Sequence, residues 1–268
     1  MGDGSVIASR SNPLVKKLRM LRQARGRRES RLFLVEGIHA VGEVIEAGWE
    51  VEALVYAPDL LTSDYARQLV LQQSSQGIRC QPLSPDVFKF ISEKDNPQGI
   101  MAAVHWRNQG LDKVNGRTLK WGVAVVSPQD PGNVGTILRT MDSVGADGLF
   151  MLDGGVDLYH PTAVRASMGT LFWIPILEMD FDRFLVWVRE GGYHLVGSSA
   201  HAEMDYHQIR GMNERAILML GNEQKGLSPE QLQACEVVVS LPMVGRSSSL
   251  NLAVAAGILL YTMGEKAV

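Results

Sequence analysis

Apolar positions along this chain follow two rhythms that alternate from one end to the other. Between Asn12 and Ala24, Leu14, Leu18 and Leu21 recur at i, i+4 and i+7 with basic side chains largely between them, which predicts an amphipathic helix. Leu32-Phe33-Leu34-Val35 is strand-like, and a helical stretch from Ile38 to Ala47 closes on Gly48. Residues 51–57, 78–83 and 100–106 read as strands, separated by helical patterns over 63–76 and 84–92. The run Glu93 to Gly99 is a polar turn.

The second half keeps a stronger alternation. Strands are expected at 121–126 and 148–152 around a helix over 133–144, then at 173–177, 194–197, 216–220 and 237–241. A helix is expected over 181–190, and another opens at Ser228-Pro229, as N-cap and first turn. The last helix, 250–263, is apolar on nearly every face and is expected to be buried. Alternation of this kind predicts an α/β fold. The polar, glycine-containing stretch 108–118 lacks apolar periodicity and divides the chain into a smaller domain over 1–107 and a larger one over 119–268.

Composition sharpens this picture at one end only. Of the 268 residues 46% are hydrophobic, and no apolar run approaches the roughly 20 residues of a membrane span. Cys80 and Cys235 are far apart, with no partner at metal-ligand spacing, and are expected as free, half-buried thiols. With no apolar segment long enough for a signal peptide near the start, a cytoplasmic protein is expected. Residues 1–31 hold nine basic side chains against two acids, a local +7 on a chain whose net charge is −3. Lys16, Lys17, Arg19, Arg22, Arg25, Arg27 and Arg28 in this arm suit a polyanionic partner or a solvated helix face equally well.

Several familiar signatures are missing. The chain has no G-x-G-x-x-G, no P-loop and no G-x-S-x-G elbow, and His201 and His207 stand without a third ligand, so no metal site is expected. Three segments remain, each ending a strand or opening a helix, where α/β sheets place ligands. In the first, Pro131-Gly132 breaks the chain, Asn133 is placed to cap a helix, and Arg139 sits six residues on, beside the apolar Val134, Ile137, Leu138 and Met141. Arg139 there is either a phosphate-gripping group or one half of an ion pair with Asp142 or Glu223. In the second, a strand runs into a loop bounded by Gly221 and Gly226 that holds Glu223. In the third, Leu241-Pro242-Met243 leads through a serine run to Ser249, Leu250 and Asn251, expected at a buried helix start.

Taken in order, the three segments closely resemble the motifs of the SpoU-type, TrmH-like branch of the SPOUT RNA 2′-O-ribose methyltransferases. Asn133, Gly135 and Arg139 fit the first motif; Gly221, Glu223, Gly226 and Leu227 fit the second, G-x-E-x-x-G-L; Leu241, Pro242, Met243, Ser249, Leu250 and Asn251 fit the third. His160-Pro161 through Arg165-Ala166-Ser167-Met168-Gly169 also looks like the family, and the resemblance covers about residues 119–265. Ala253 and Thr262 depart from the family's usual serine and glutamate. Phe33-Leu34-Val35-Glu36-Gly37 makes the first half similar to a small ribosomal-protein-like RNA-binding α/β domain.

The resemblance implies a parallel sheet with a deep trefoil knot, a homodimer whose active site is completed across the interface, and S-adenosylmethionine as cofactor. It further implies that Gly221, Leu241, Met243 and Leu250 line the cofactor, while Arg139, Asn133, Glu223, Ser249 and Asn251 form the catalytic set. A large structured RNA is the expected substrate, ribosomal RNA ahead of transfer RNA. A non-catalytic RNA-binding scaffold is the alternative from another class, and it would not need Arg139, Glu223, Ser249 and Asn251.

Overall fold

The structure, a computed structural model, describes residues 5–107 and 119–265. The stretch 108–118, expected as a linker, lies outside the described residues. In chain order the first elements are α1 (Pro13–Met20), α2 (Ala24–Ser30), β1 (Leu32–Glu36), α3 (Ile38–Glu46), β2 (Val51–Tyr56), α4 (Asp64–Ser75), β3 (Cys80–Pro82), α5 (Pro85–Ile91) and β4 (Ile100–His105). They are followed by β5 (Trp121–Val126), α6 (Pro131–Val144), β6 (Leu149–Leu152), α7 (Pro161–Ala166), β7 (Ile176–Met179) and α8 (Phe181–Gly191). The chain ends with β8 (His194–Ser198), β9 (Met204–Asp205), β10 (Ala216–Leu220), α9 (Pro229–Ala234), β11 (Val237–Ser240) and α10 (Leu252–Gly264). Two compact units result: Met1–Asn108 with Tyr159–Phe172, and Gln109–Leu158 with Trp173–Val268.

In the first unit a four-stranded sheet runs β1-β4-β2-β3, antiparallel except for the β2–β3 pair. One face packs Leu34, Val55, Met101 and Ala103 against Leu14, Leu18 and Leu21 of the basic arm and Val87, Phe88 and Ile91 of α5. On the opposite face Phe33 meets Tyr159 with ring centroids 4.5 Å apart, and the Trp49 indole donates to the Phe172 carbonyl at 2.9 Å. Ser63 and Ser84 cap α4 and α5 by accepting from amides three residues on.

The helix expected over 12–24 ends at Met20, and a second helix, α2, follows beyond it over Ala24–Ser30; Arg27 explains the break. Its guanidinium is 1% exposed and donates to the carbonyls of Leu21 and Arg22 at 2.9 Å each. Those carbonyls lie where α1 ends and would otherwise lack partners. Gly26 permits the tight turn, since a Cβ there would lie 2.1 Å from the Met20 carbonyl oxygen.

The second unit is a seven-stranded sheet in the order β7-β6-β5-β10-β8-β11-β9, with every pair parallel. Its central strands β5 and β10 are buried at every position, as parallel strands covered on both faces must be. The strand expected over 173–177 is displaced: Trp173 is half exposed, and β7 starts only after Pro175, which cannot donate to a ladder. The last helix also departs from expectation. α10 buries Ala253, Ala256, Leu259, Leu260 and Met263 but leaves Leu250, just ahead of it, and Val254, Ile258 and Tyr261 exposed along one side. Among the described residues no helix is long and apolar enough to cross a membrane.

Candidate active site

β5 and β10 lie side by side with Leu220 opposite Val125, so the loops leaving their C-terminal ends emerge together. Asn222 joins them: its side-chain N–H donates to the Ser127 carbonyl at 2.8 Å, and its oxygen accepts from the amides of Gln224 and Lys225 at 3.0 and 3.1 Å. A reciprocal pair of backbone hydrogen bonds between Asn222 and Gly226 closes the loop. Gly226 has φ 67°, and a Cβ on Gly221 would lie 2.2 Å from the Gly226 carbonyl carbon, so both positions require glycine. An open cavity of about 740 Å³ lies at these strand ends, lined by Ser127, Asp153, Gly155, Asn222 and Lys225 among others.

Glu223 reaches from this loop to the start of α6. Its Oε2 accepts from the Gln129 amide at 3.0 Å, while Oε1 accepts from the Asp130 amide at 3.3 Å and from Asn133 Nδ2 at 3.2 Å. Asn133 Oδ1 in turn accepts from Asn251 Nδ2 at 2.8 Å, and Asn251 Oδ1 caps α10 by accepting from the amides of Ala253 and Val254. One chain of hydrogen bonds therefore crosses all three motif segments. Asn133 is not the helix cap expected from its place in the sequence: Asp130 caps α6, and Asn133 lies inside the helix, 6% exposed. A buried amide needs partners for both its donor and its acceptor, and Glu223 and Asn251 supply them.

Arg139 and Ser249 stand outside this chain. Arg139 follows Asn133 by six residues, about 240° further round the helix at 3.6 residues per turn, so it leaves the buried stripe and is exposed. It is thus not packed among Val134, Ile137, Leu138 and Met141, which are buried. Among the described residues its guanidinium forms no ion pair, and Glu223 is bound to N–H donors instead. Ser249 and Asn251 are exposed, not at a buried helix start; the Ser249 carbonyl accepts from the Ser247 hydroxyl at 2.8 Å.

The residues expected to line the cofactor lie on two separate features, the end of β10 and the segment after β11. Gly221 is buried at the strand end, whereas Leu241 and Met243 are half-buried and Leu250 is 39% exposed on the irregular segment between β11 and α10. Among the described residues no backbone amide from Met243 to Leu250 donates within the chain. Free backbone N–H donors and carbonyl acceptors beside apolar Leu241, Met243 and Leu250 suit an adenine and its ribose, so these residues fit S-adenosylmethionine. Burial pushes the Cys235 thiol up to about 12, and its S–H donates to the Gln231 carbonyl at 3.2 Å.

The basic arm divides by geometry. Lys16, Arg19, Arg25 and Arg28 are exposed, although Arg25 pairs with Glu29 at 2.6 Å. Lys17 binds Glu52 at 2.7 Å, and that hydrogen bond holds the Glu52 carboxyl below the usual carboxylate range. Arg22 pairs with Glu93 at 3.1 Å. Arg27, expected among the RNA contacts, is buried against backbone carbonyls and serves the fold.

A family model described as the SpoU rRNA Methylase family matches residues 120–261, more than half of the chain and all three motif segments. The chain belongs to the SpoU rRNA methylase family. Residues 12–102 match a second family, the MRM3-like substrate binding domain. A 23S rRNA (uridine(2479)-2′-O)-methyltransferase of Streptomyces viridochromogenes is 34% identical over 85% of this chain and 81% of its own length. The 23S rRNA (guanosine(2553)-2′-O)-methyltransferase RlmP of Bacillus subtilis is 30% identical over 95% of this chain and 97% of its own. An AdoMet-bound rRNA methyltransferase from Sinorhizobium meliloti shares the architecture with a TM-score of 0.88 and 32% identity over 98% of each chain. In this SpoU protein, Asn222 is the positioning residue that sequence reasoning passed over. Its place between Gly221 and Glu223 in a tight loop was the available signal, because Asn bonds its own backbone neighbours in turns.

Proposed function

We propose that this protein is an S-adenosylmethionine-dependent RNA 2′-O-ribose methyltransferase acting on 23S ribosomal RNA, with residues 119–268 as the catalytic domain and 1–107 as the RNA-binding domain. The observation that carries the reading is the Glu223–Asn133–Asn251 chain, which ties the three family motifs into one site at the ends of β5 and β10. Two relatives named for different nucleotides, uridine 2479 and guanosine 2553, share 23S rRNA, which favours that RNA and leaves the nucleotide open.

When bound, S-adenosylmethionine supplies a methyl group on a sulfonium, which is an excellent leaving group. Gly221, Leu241, Met243 and Leu250 would hold it, largely through backbone groups. Arg139 stabilises the alkoxide developing on the ribose 2′-oxygen. Arg139 is not the base, because a guanidinium keeps its proton to pH of about 12 or above; the proton passes to a substrate phosphate or to water. Glu223, Asn133 and Asn251 fix the loops that set this geometry, and Ser249 orients the substrate. The protein acts as a cytoplasmic homodimer, with the C-terminal segment threaded as a trefoil knot. The dimer is supported by the exposed apolar row Leu250, Val254, Ile258 and Tyr261 and by the exposure of Arg139 away from Glu223 and Asn133.

Incubation with tritiated S-adenosylmethionine and unmodified transcripts of 23S rRNA, 16S rRNA and transfer RNA tests the proposal. Label is expected in the 23S transcript at one 2′-O position. Label in transfer RNA would move the substrate, and no label in any RNA with folded, cofactor-binding protein would overturn the activity.

A further inference from the structure

The first unit holds a second cavity, of about 260 Å³, that no catalytic motif explains. Its walls are apolar: Leu34 of β1, Met101 of β4, Ile91 of α5, Ala40 of α3, and Val164 and Met168 from α7 and the residues after it. Its mouth is polar, with Arg22, Lys94 and Arg165 set against Glu36 and Glu93. Both acids are already engaged. Glu36 accepts from the Ser92 hydroxyl at 2.5 Å and the Glu93 amide at 3.3 Å, and Glu93 pairs with Arg22. Arg165 is exposed and, among the described residues, has no ion-pair partner. Gln98, also at the mouth, accepts from the Ile38 amide through Oε1, which leaves its NH₂ group as a donor.

We infer that this cavity takes a single unstacked nucleobase of the RNA substrate, an inference that rests on the RNA-methyltransferase reading above. Three observations on the molecule support it. The volume falls just below the range of roughly 300–1,000 Å³ for drug-sized ligands, which suits one flat ring system and not a whole nucleotide. Apolar walls with donors at the rim are what a splayed-out base needs: a dry slot for its faces and polar groups for its edge. The first unit also carries exposed cations against the helix that supplies Ile91: Arg10 and Arg19 lie over the ring of Phe90, the residue before Ile91 in α5, at 4.6 and 3.9 Å, and groups of this kind hold a phosphate backbone. The cavity is built mostly from residues 12–102, the segment matching a substrate binding domain.

The test uses the full chain with methionine methyl groups labelled with ¹³C, the Met101 and Met168 signals being assigned by Met101→Leu and Met168→Leu. The four nucleoside 5′-monophosphates are expected to shift both signals, whereas ribose 5-phosphate leaves them in place. Ala40→Leu, which fills the cavity from a helix that accepts leucine, is expected to weaken binding of an unmodified 23S rRNA transcript about tenfold or more. The salt dependence and the affinity for S-adenosylmethionine should stay unchanged, because the phosphate contacts and the cofactor segment are untouched. Unshifted Met101 and Met168 signals with every nucleotide would overturn the inference, even if Ala40→Leu failed to fold. An equal response to N-acetylphenylalaninamide would also overturn it, by marking a pocket for a protein side chain. If the wild-type protein methylates the transcript while the cavity stays silent, this inference alone fails; if it neither binds cofactor nor methylates RNA, the underlying reading fails.

Discussion

Glu223 accepts three N–H donors from the turn into α6, so its removal leaves those donors to solvent or unpaired. Glu223→Ala is expected to lower stability by about 1–3 kcal/mol, read as a fall in melting temperature, with weaker cofactor binding by calorimetry as the loops separate. Glu223→Gln keeps one carbonyl oxygen and should recover part of the loss. Arg139 behaves oppositely, because it is exposed and unpaired among the described residues. Arg139→Ala should leave melting temperature and cofactor affinity unchanged while single-turnover methyl transfer falls by about 10²–10³. Arg139→Lys should restore little, since an ammonium lacks the planar fork of the guanidinium. Near-normal turnover in Arg139→Ala would remove this residue from the mechanism. The motif spacing identified both side chains, but only the hydrogen bonds distinguish the one that holds the loops from the one left facing outward.

The basic arm illustrates how far periodicity reaches within an element. Leu14, Leu18 and Leu21 fall on the core face as their spacing predicts, so deleting residues 1–31 would strip the first unit's core as well as its charge. The charge has to be removed residue by residue. Replacing Lys16, Arg19 and Arg28 with Gln is expected to weaken RNA binding and flatten its salt dependence. The log–log slope should fall by about 0.7–0.9 for each phosphate that is no longer neutralised. Unchanged slopes in filter binding would make the arm a solvated helix face only. Arg27→Gln should instead lower the melting temperature, because Arg27 bonds the carbonyls that end α1. The split between α1 and α2 was not legible, since it depends on a charged side chain turning inward, which polarity patterns read as outward.

For the molecule as a whole, the exposed side of α10 is the face that the proposed dimer would cover. Leu250, Val254, Ile258 and Tyr261 recur at helical spacing, yet each is at least 36% exposed in the single chain. Monomers seldom leave such a row uncovered. Light scattering at micromolar concentration is expected to give twice the chain mass. Val254→Glu combined with Ile258→Glu should produce a folded monomer with little methyl transfer, because both side chains already face solvent within one chain. A monomeric wild-type enzyme with full activity would sink the shared-site reading.

The strands and most helices were legible because burial on a sheet or a helix face imposes a period on the sequence, and β5, β10, α4 and α5 lie where that period places them. The motif residues were legible too, because glycines at close backbone approaches and polar groups at strand ends admit few substitutes. β9, only two residues long, and α7, under two helical turns, are too short to repeat their period and left no signal. The pairing of β5 with β10 could not be read from the chain either, although 90 residues separate its two motifs and everything at the site depends on it. That contact is a property of strand order, and strand order is chosen by the packing of the entire sheet. It makes Asn133 a buried bridge where local sequence reads a helix cap, while the turn of α6 itself leaves Arg139 facing outward.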